Sequence, residues 1–204
     1  MITIVNYGLG NLGSIYNMLK KIGVQSQIIS DPEEIASARR LILPGVGSFD
    51  RAMERIGSSG RLREILAQKA LVEKVPVLGI CLGMQLLTKS SEEGLLPGLG
   101  WIPARTIRFC FPPGSDLKIP HMGWNMVHRA NPSPLTDNFE PEHRFYFVHS
   151  YHVRVEDEKF SILKTIHGHP FDSAIQNDNI FGVQFHPEKS HRFGMRLLEN
   201  FARL

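Results

Sequence analysis

Only two cysteines, Cys81 and Cys110, occur in 204 residues, and their spacing builds neither a disulfide framework nor a zinc site. No apolar run approaches the roughly 18 residues of a membrane span. Met1-Ile2-Thr3-Ile4-Val5 opens straight into a strand without a basic-then-apolar leader. These absences point to a cytoplasmic location without a membrane partner. The formal charge is only +3, and Lys and Arg are scattered apart from short pairs such as Lys20-Lys21 and Arg39-Arg40, so no nucleic-acid footprint is present. Repeats, low-complexity tracts and linkers are also missing. Nine histidines raise the question of a metal, yet His167-Gly168-His169 reads as a polar turn and clustered ligands are lacking, so no metal is expected. His128, His143 and His191 read as surface polar residues, and Cys110, between two phenylalanines, as a core residue. What remains is a chain 42% apolar, enough for one domain over 1–204 with a substantial core.

Cys81 stands at a junction. The apolar strand Val77-Leu78-Gly79-Ile80 precedes it and a helical run from Leu82-Gly83-Met84-Gln85 follows. A strand turning sharply into a helix holds a side chain at the carboxyl edge of a sheet and aims the first helical N–H groups at what that side chain attacks. Glycines two before and two after make room for a strained backbone, the logic of a nucleophile elbow with sulfur in place of oxygen. A helix N-terminus favours thiolate, the reactive form.

A thiol nucleophile needs a base. The strand Ile180-Phe181-Gly182-Val183-Gln184-Phe185 runs into His186-Pro187-Glu188. In extended chain His186 and Glu188 share one side, and Pro187 stiffens the pair. A carboxylate beside an imidazole sets its tautomer and stabilises the imidazolium formed when it takes the thiol proton. An acyl transfer also needs an oxyanion hole. Leu41-Ile42-Leu43 ends in Pro44-Gly45-Val46-Gly47, whose backbone can approach a ligand closely, and the Val46 and Leu82 N–H groups are the candidate donors.

Together these segments resemble the class I glutamine amidotransferases, and within that family the glutaminase subunits of imidazole glycerol phosphate synthases. The likeness runs nearly end to end, through Asn6-Tyr7-Gly8-Leu9-Gly10-Asn11, Pro44 to Phe49, Gly79 to Leu87, Ser91-Glu92-Glu93-Gly94, Pro120-His121-Met122-Gly123-Trp124-Asn125, Phe147-Val148-His149-Ser150-Tyr151 and Gln184 to Ser190. The resemblance implies a Cys81–His186–Glu188 triad that hydrolyses L-glutamine to glutamate and ammonia through a cysteinyl thioester, without a cofactor. It places glutamine among Gly45, Gly47, Gln85, Glu93, Ser150 and Tyr151. It also implies a heterodimer with a (β/α)₈-barrel cyclase docked against Trp124, Asn125 and Lys189, which uses the ammonia to make imidazole glycerol phosphate and aminoimidazole carboxamide ribotide in histidine biosynthesis. His121, His149 and His152 fall in the motifs tied to interface or pocket wall. Thr88-Lys89, Gly13 and the stretch Trp101 to Lys118 depart from the usual pattern. They leave open the alternative that the same chemistry serves a synthase amidinating surface-polysaccharide sugars.

A competing motif lies near the amino end. Gly8-Leu9-Gly10-Asn11-Leu12-Gly13 after a strand, with Asp31 behind a second strand, spells a dinucleotide fingerprint. Asp31-Pro32 reads equally well as a helix N-cap followed by proline at the first helical position, and the thiol chemistry elsewhere makes an NAD-binding role the lesser reading.

The coarse pattern alternates strands near 1–6, 26–30, 40–43 and 76–80 with helices near 11–22, 48–56 and 61–73. This predicts an α/β fold with an open, mostly parallel, doubly wound sheet. Trp101–Phe109, Arg144–His149, Tyr151–Val155, Ser161–Thr165, Asp172–Gln176 and Ile180–Phe185 predict antiparallel additions in the second half. A helix over His191–Leu204 closes the chain.

Overall fold

A computed structural model describes residues 1–58 and 60–204. Four short apolar strands, β1 (Ile2–Val5), β2 (Ser26–Ile29), β3 (Leu41–Leu43) and β4 (Val77–Ile80), lie parallel in the order β2-β1-β3-β4. Three of them are apolar nearly throughout because both faces of the sheet are covered. Val5, Leu41, Leu43 and Val77 face one core, with Phe49, Ile56, Leu62 and Leu66. Ile2, Ile4, Ile42, Leu78 and Ile80 face the other, with Ile15, Leu19, Leu197 and Phe201. The helices therefore divide between the two sides: α1 (Leu12–Lys21) and α6 (His191–Arg203) on one, α3 (Phe49–Gly57) and α4 (Arg61–Ala67) on the other. In α3 the buried set Phe49, Ala52, Met53 and Ile56 has the helical spacing, and each large side chain so buried contributes about 1.5–3 kcal/mol. The short α2 (Pro32–Ile35) begins where Asp31 accepts the Glu33 N–H at 2.9 Å.

The second half adds antiparallel strands to the same sheet. β12 (Ile180–Val183) pairs parallel with β4, placing Gly182 against Gly79 and Val183 against Ile80. β11 (His169–Asn177) lies antiparallel to β12, followed by β10 (Ser161–His167) and β7 (His128–Arg129). β9 (Tyr151–Val155) pairs with β11, and β5 (Ala104–Arg108) with β9. The architecture is the expected mixed α/β fold with a large, mostly parallel first half.

Several details differ from the sequence reading. Pro120-His121-Met122-Gly123-Trp124-Asn125 contributes a strand, β6 (His121–Met126), which pairs with β8 (Arg144–His149) as a separate two-stranded sheet. The helix expected over 61–73 passes from α4 into a π turn at Gln68–Val72. Cys110 is exposed rather than in the core, because alternation turns its neighbour Phe109 inward. His143 is buried rather than on the surface, its ring stacked on Phe139 at 4.1 Å.

Candidate active site

The end of β4 and the start of α5 (Leu82–Leu86) hold Cys81 in a left-handed conformation, φ 55° and ψ −110°. Its N–H donates to Val183 O at 2.8 Å, and its carbonyl accepts from Met84 at 3.0 Å and Gln85 at 3.3 Å. This strained geometry is over-determined by its neighbours. A Cβ at Gly83 would stand 1.8 Å from the Leu43 carbonyl oxygen, and one at Gly79 would stand 2.5 Å from Gly83 O. The flanking glycines thus let the first turn of α5 seat directly on the ends of β3 and β4.

β12, beside β4, delivers His186 to the same sheet edge. The local form differs from the extended chain read from sequence: Pro187–Lys189 make one 3₁₀ turn. His186 Nδ1 and Glu188 Oε1 are 2.7 Å apart, and both side chains are buried. The turn is tied to β8, with His186 N donating to Tyr146 O at 2.9 Å, Tyr146 N to Ser190 Oγ at 3.0 Å, and Ser190 Oγ to His186 O at 2.6 Å. Nε2 of His186 has no hydrogen bond of normal geometry among the described residues. Burial pulls the proton affinity of this imidazole down, while the neighbouring Cys81 sulfur and the Glu188 carboxylate pull it up, and the balance carries it up to about 10.

A cavity of about 370 Å³ opens over the sulfur, lined by Val46, Gly47, Cys81, Leu82, Gln85 and Glu93 and by Pro120, Val148, His149, Ser150, Tyr151, His186 and Lys189. Nearly every residue expected around glutamine meets here. Gly45 is the exception: it packs behind the cavity, where an added Cβ would lie 2.8 Å from Leu82 Cβ and 2.9 Å from Gly83 N. Its smallness serves the contact with α5. The Val46 and Leu82 N–H groups have no acceptor among the described residues, as donors reserved for a ligand would.

Glu93 is held at both ends of its loop. Its Oε2 accepts the Phe49 N–H at 3.0 Å, and its own N–H donates to Ser91 Oγ at 3.1 Å. Burial and then the nearby Asp50 charge raise its carboxyl above the usual range, against the Phe49 hydrogen bond. Asp50 clamps the next turn, accepting Leu95 N at 2.9 Å and Leu96 N at 3.0 Å.

Three residues of the site were not singled out from sequence. Tyr7 donates its hydroxyl to Pro44 O, and burial, then Cys81, raises its phenol well above the ordinary value. Asp50 is the clamp just described. Gln184, fully buried in an otherwise apolar strand end, has Nε2 3.8 Å from Cys81 Sγ and Oε1 3.1 Å from Gln85 Nε2. A lone inward-facing amide in an apolar strand was the available signal, since such a group must find partners.

The residues expected to face a partner separate. On the outer face of the β6–β8 sheet Trp124 lies across from Tyr146, half exposed, stacked on His191 at 5.6 Å with the Arg144 guanidinium 5.9 Å away. Lys189 Nζ stands 5.7 Å over the Tyr146 ring. Asn125 points to the other face, where its Nδ2 donates to Ile166 O at 2.8 Å and lies 3.1 Å from His121 Nε2. A partner-facing role therefore does not suit its side chain, because alternation along β6 sends it opposite to Trp124.

The glycine-rich turn near the amino end has local duties. A Cβ on Gly10 would stand 3.1 Å from Pro44 Cβ, so this turn packs against the Pro44-Gly45 loop, while Asp31 is spent capping α2. Among the described residues no group of three or more His, Cys, Asp or Glu is arranged to hold a metal ion.

Residues 3–204 match the family model described as glutamine amidotransferase class-I. The chain is 55% identical to the imidazole glycerol phosphate synthase subunit HisH 2 of Methanococcus maripaludis, over 100% of this chain and 99% of that one. It is 47% identical to the subunit HisH of Bdellovibrio bacteriovorus and 45% to the subunit HisH 2 of Pseudomonas aeruginosa, each over the full length of both chains. Among solved structures, a glutamine amidotransferase superposes with TM-score 0.75 at 16% identity, covering 100% and 99% of the two chains. PurLQS from Thermotoga maritima does so with TM-score 0.75 at 18% identity, covering 99% and 97%; at this identity the likeness is one of fold.

Proposed function

The chain belongs to the class-I glutamine amidotransferase family, and from that premise we propose that it is the glutaminase subunit of an imidazole glycerol phosphate synthase, releasing ammonia from L-glutamine for histidine biosynthesis. The names of its full-length relatives support this acceptor over sugar amidination. The observation that carries the chemistry is Cys81, strained at its elbow, sharing one cavity with a His186 imidazole that is itself bound to Glu188 at 2.7 Å.

In this reading His186 holds the proton of the Cys81–His186 pair and the sulfur attacks the side-chain amide carbon of glutamine. The tetrahedral oxyanion rests on the Val46 and Leu82 N–H groups. His186, with Glu188 fixing its Nδ1–H, returns the proton to the departing nitrogen, so ammonia leaves and a γ-glutamyl thioester remains. Water, deprotonated by His186, cleaves the thioester, and the proton goes back to the thiolate. Gln85 and Glu93 hold the amino-acid end of glutamine, the Glu93 carboxylate meeting the α-ammonium, with the backbone at Gly47, Ser150 and Tyr151 closing around the substrate.

The outer face of β6–β8, with exposed Met122 and Trp124 beside the cavity-lining Val148 and Lys189, is the docking face for a cyclase, read here as a (β/α)₈ barrel forming a heterodimer. The whole of residues 1–204 acts as one glutaminase domain. No helix among the described residues is long and apolar enough to cross a membrane.

The test is glutamate release from glutamine by the chain together with its cyclase, coupled to formation of imidazole glycerol phosphate. Cys81→Ala abolishes both, and Glu188→Ala lowers kcat/KM by about 10²–10⁴. Glutamate release that survives Cys81→Ala would refute the thioester route. Ammonia incorporated only into a sugar acceptor would refute the pathway.

A further inference from the structure

Gln184 breaks the pattern of the strand it follows. Ile180, Phe181 and Val183 of β12 are buried, and so is Phe185, yet the fully buried residue before Phe185 is an amide. Its backbone is pinned near the centre of the sheet. Gln184 N donates to Ser173 O at 2.9 Å, and the preceding carbonyl, Val183 O, accepts the Cys81 N–H at 2.8 Å. Strand alternation sends the side chain to the side that α5 covers, where a Cβ at Gly182 would meet Met84 Cγ at 2.7 Å. An amide buried this deeply is tolerated only when its polar ends find partners.

The orientation of the amide is fixed through its neighbours. Tyr151 O is a carbonyl and only accepts, so the Gln85 atom 3.2 Å from it is the nitrogen. The same nitrogen lies 3.1 Å from Gln184 Oε1, which is then the acceptor. Gln184 Nε2 is thereby turned toward Cys81 Sγ, 3.8 Å away, a distance at which the large sulfur atom still accepts. His186 shares the substrate cavity with this sulfur, whereas Gln184 does not line the cavity and reaches the sulfur from within the protein.

We infer that Gln184 is a further catalytic residue, donating its amide N–H to the Cys81 sulfur so that the thiolate is held ready before glutamine arrives. This deepens the glutaminase reading and takes Cys81 as the nucleophile from it. A thiolate accepts a hydrogen bond far more strongly than a thiol, so a donor fixed against sulfur favours the charged form. A donor anchored between β4 and β11 needs no rearrangement when charge moves on or off that atom. The other titratable groups around the sulfur are His186, backed by Glu188, and Tyr7, whose proton is committed to Pro44 O, with Glu93 and Lys189 in the cavity wall.

Two substitutions of nearly the same length separate this role from a packing role. Gln184→Glu keeps an acceptor for Gln85 Nε2 but sets carboxylate oxygen against the sulfur, whereas Gln184→Met offers neither acceptor nor donor. The readout is alkylation of Cys81 by iodoacetamide in the complex with the cyclase, without glutamine. Mass spectrometry of the peptide that carries Cys81 keeps the exposed Cys110 out of the measurement. The rate at neutral pH is expected to fall about tenfold in Gln184→Met and further in Gln184→Glu, with the midpoint of the pH profile moved upward in both. The kcat/KM for glutamine is expected to fall in the same order. A packing role gives the reverse order, because the Glu variant retains the bond to Gln85, and a Glu variant alkylated as fast as wild type overturns the inference. A second measurement leaves position 184 unchanged. In ¹⁵N-glutamine-labelled chain the Gln184 side-chain amide resonances are expected to shift as Cys81 ionises and to lose that shift in Cys81→Ala; the same titration in both proteins overturns the inference. Alkylation needs no substrate, so the two readings fail separately. A complex that shows this order of alkylation but releases no glutamate overturns the glutaminase reading and leaves the thiolate contact standing.

Discussion

Gly94 sits against Asp50 so closely that a Cβ on the glycine would stand 2.0 Å from Asp50 Oδ1. The same carboxylate accepts the next two backbone N–H groups, so the glycine is what allows the loop to close on it. The residue before that glycine is Glu93. Gly94→Ala drives either the loop or the Asp50 carboxylate aside and so breaks the clamp, and Asp50→Ala removes it without a clash. Both should raise the glutamine KM by about tenfold, with kcat changed less than threefold, because the proposed reading has this loop bind substrate rather than react. Steady-state kinetics of the complex check this, and a fall in kcat at constant KM would contradict it.

Gly83→Ala tests the elbow's packing. The new methyl would meet Leu43 O at 1.8 Å and Pro44 C at 3.5 Å, and backbone cannot rotate away as a side chain does. A loss of about 2–4 kcal/mol is expected. For a chain of this length that lowers Tm by roughly 5–15 °C, read by calorimetry.

His186 supplies a pH dependence whose sign is fixed. Its proton affinity is higher folded than unfolded, so its contribution to stability is complete below pH 6.5 and is lost as pH rises toward about 10. Wild type should therefore lose Tm relative to His186→Gln across that window. Parallel Tm curves for the two proteins over the window would show that the imidazolium is not held as described.

On the proposed docking face the exposed Trp124, flanked by Arg144 and His191, has the chemistry of the aromatic anchors that dominate binding. Trp124→Ala should weaken the Kd for the cyclase about 10- to 100-fold by calorimetric titration. Asn125→Ala should alter that affinity less, since its amide is turned to Ile166 and His121.

The sequence was most legible where chemistry is local. Gly79-Ile80-Cys81-Leu82-Gly83 declares its strand–turn–helix, and His186-Pro187-Glu188 forms its pair within a single turn. Asp31 was readable as a cap for the same reason. The groups that went unread act across long separations. Asp50 reaches Leu95, 45 residues on, and Gln85 reaches Gln184, 99 residues on, contacts set by sheet order rather than by any neighbour in sequence. β6 was read as a motif and not as a strand because its six residues include a glycine at φ 120° and alternate weakly. Gly45 and Asn125 were assigned by motif, and only the packing shows which way each one faces.

The strand that brings His186 is last in the chain yet lies at the middle of the sheet, between β4 and β11. A nascent polypeptide emerging from the ribosome has its thiol elbow long before it can close the gap beside it. The proposed nucleophile and base therefore meet only when β12 inserts between β4 and β11, and Cys81 stands without His186 until then. Such wiring builds the site from contacts between distant segments, which makes assembly slow.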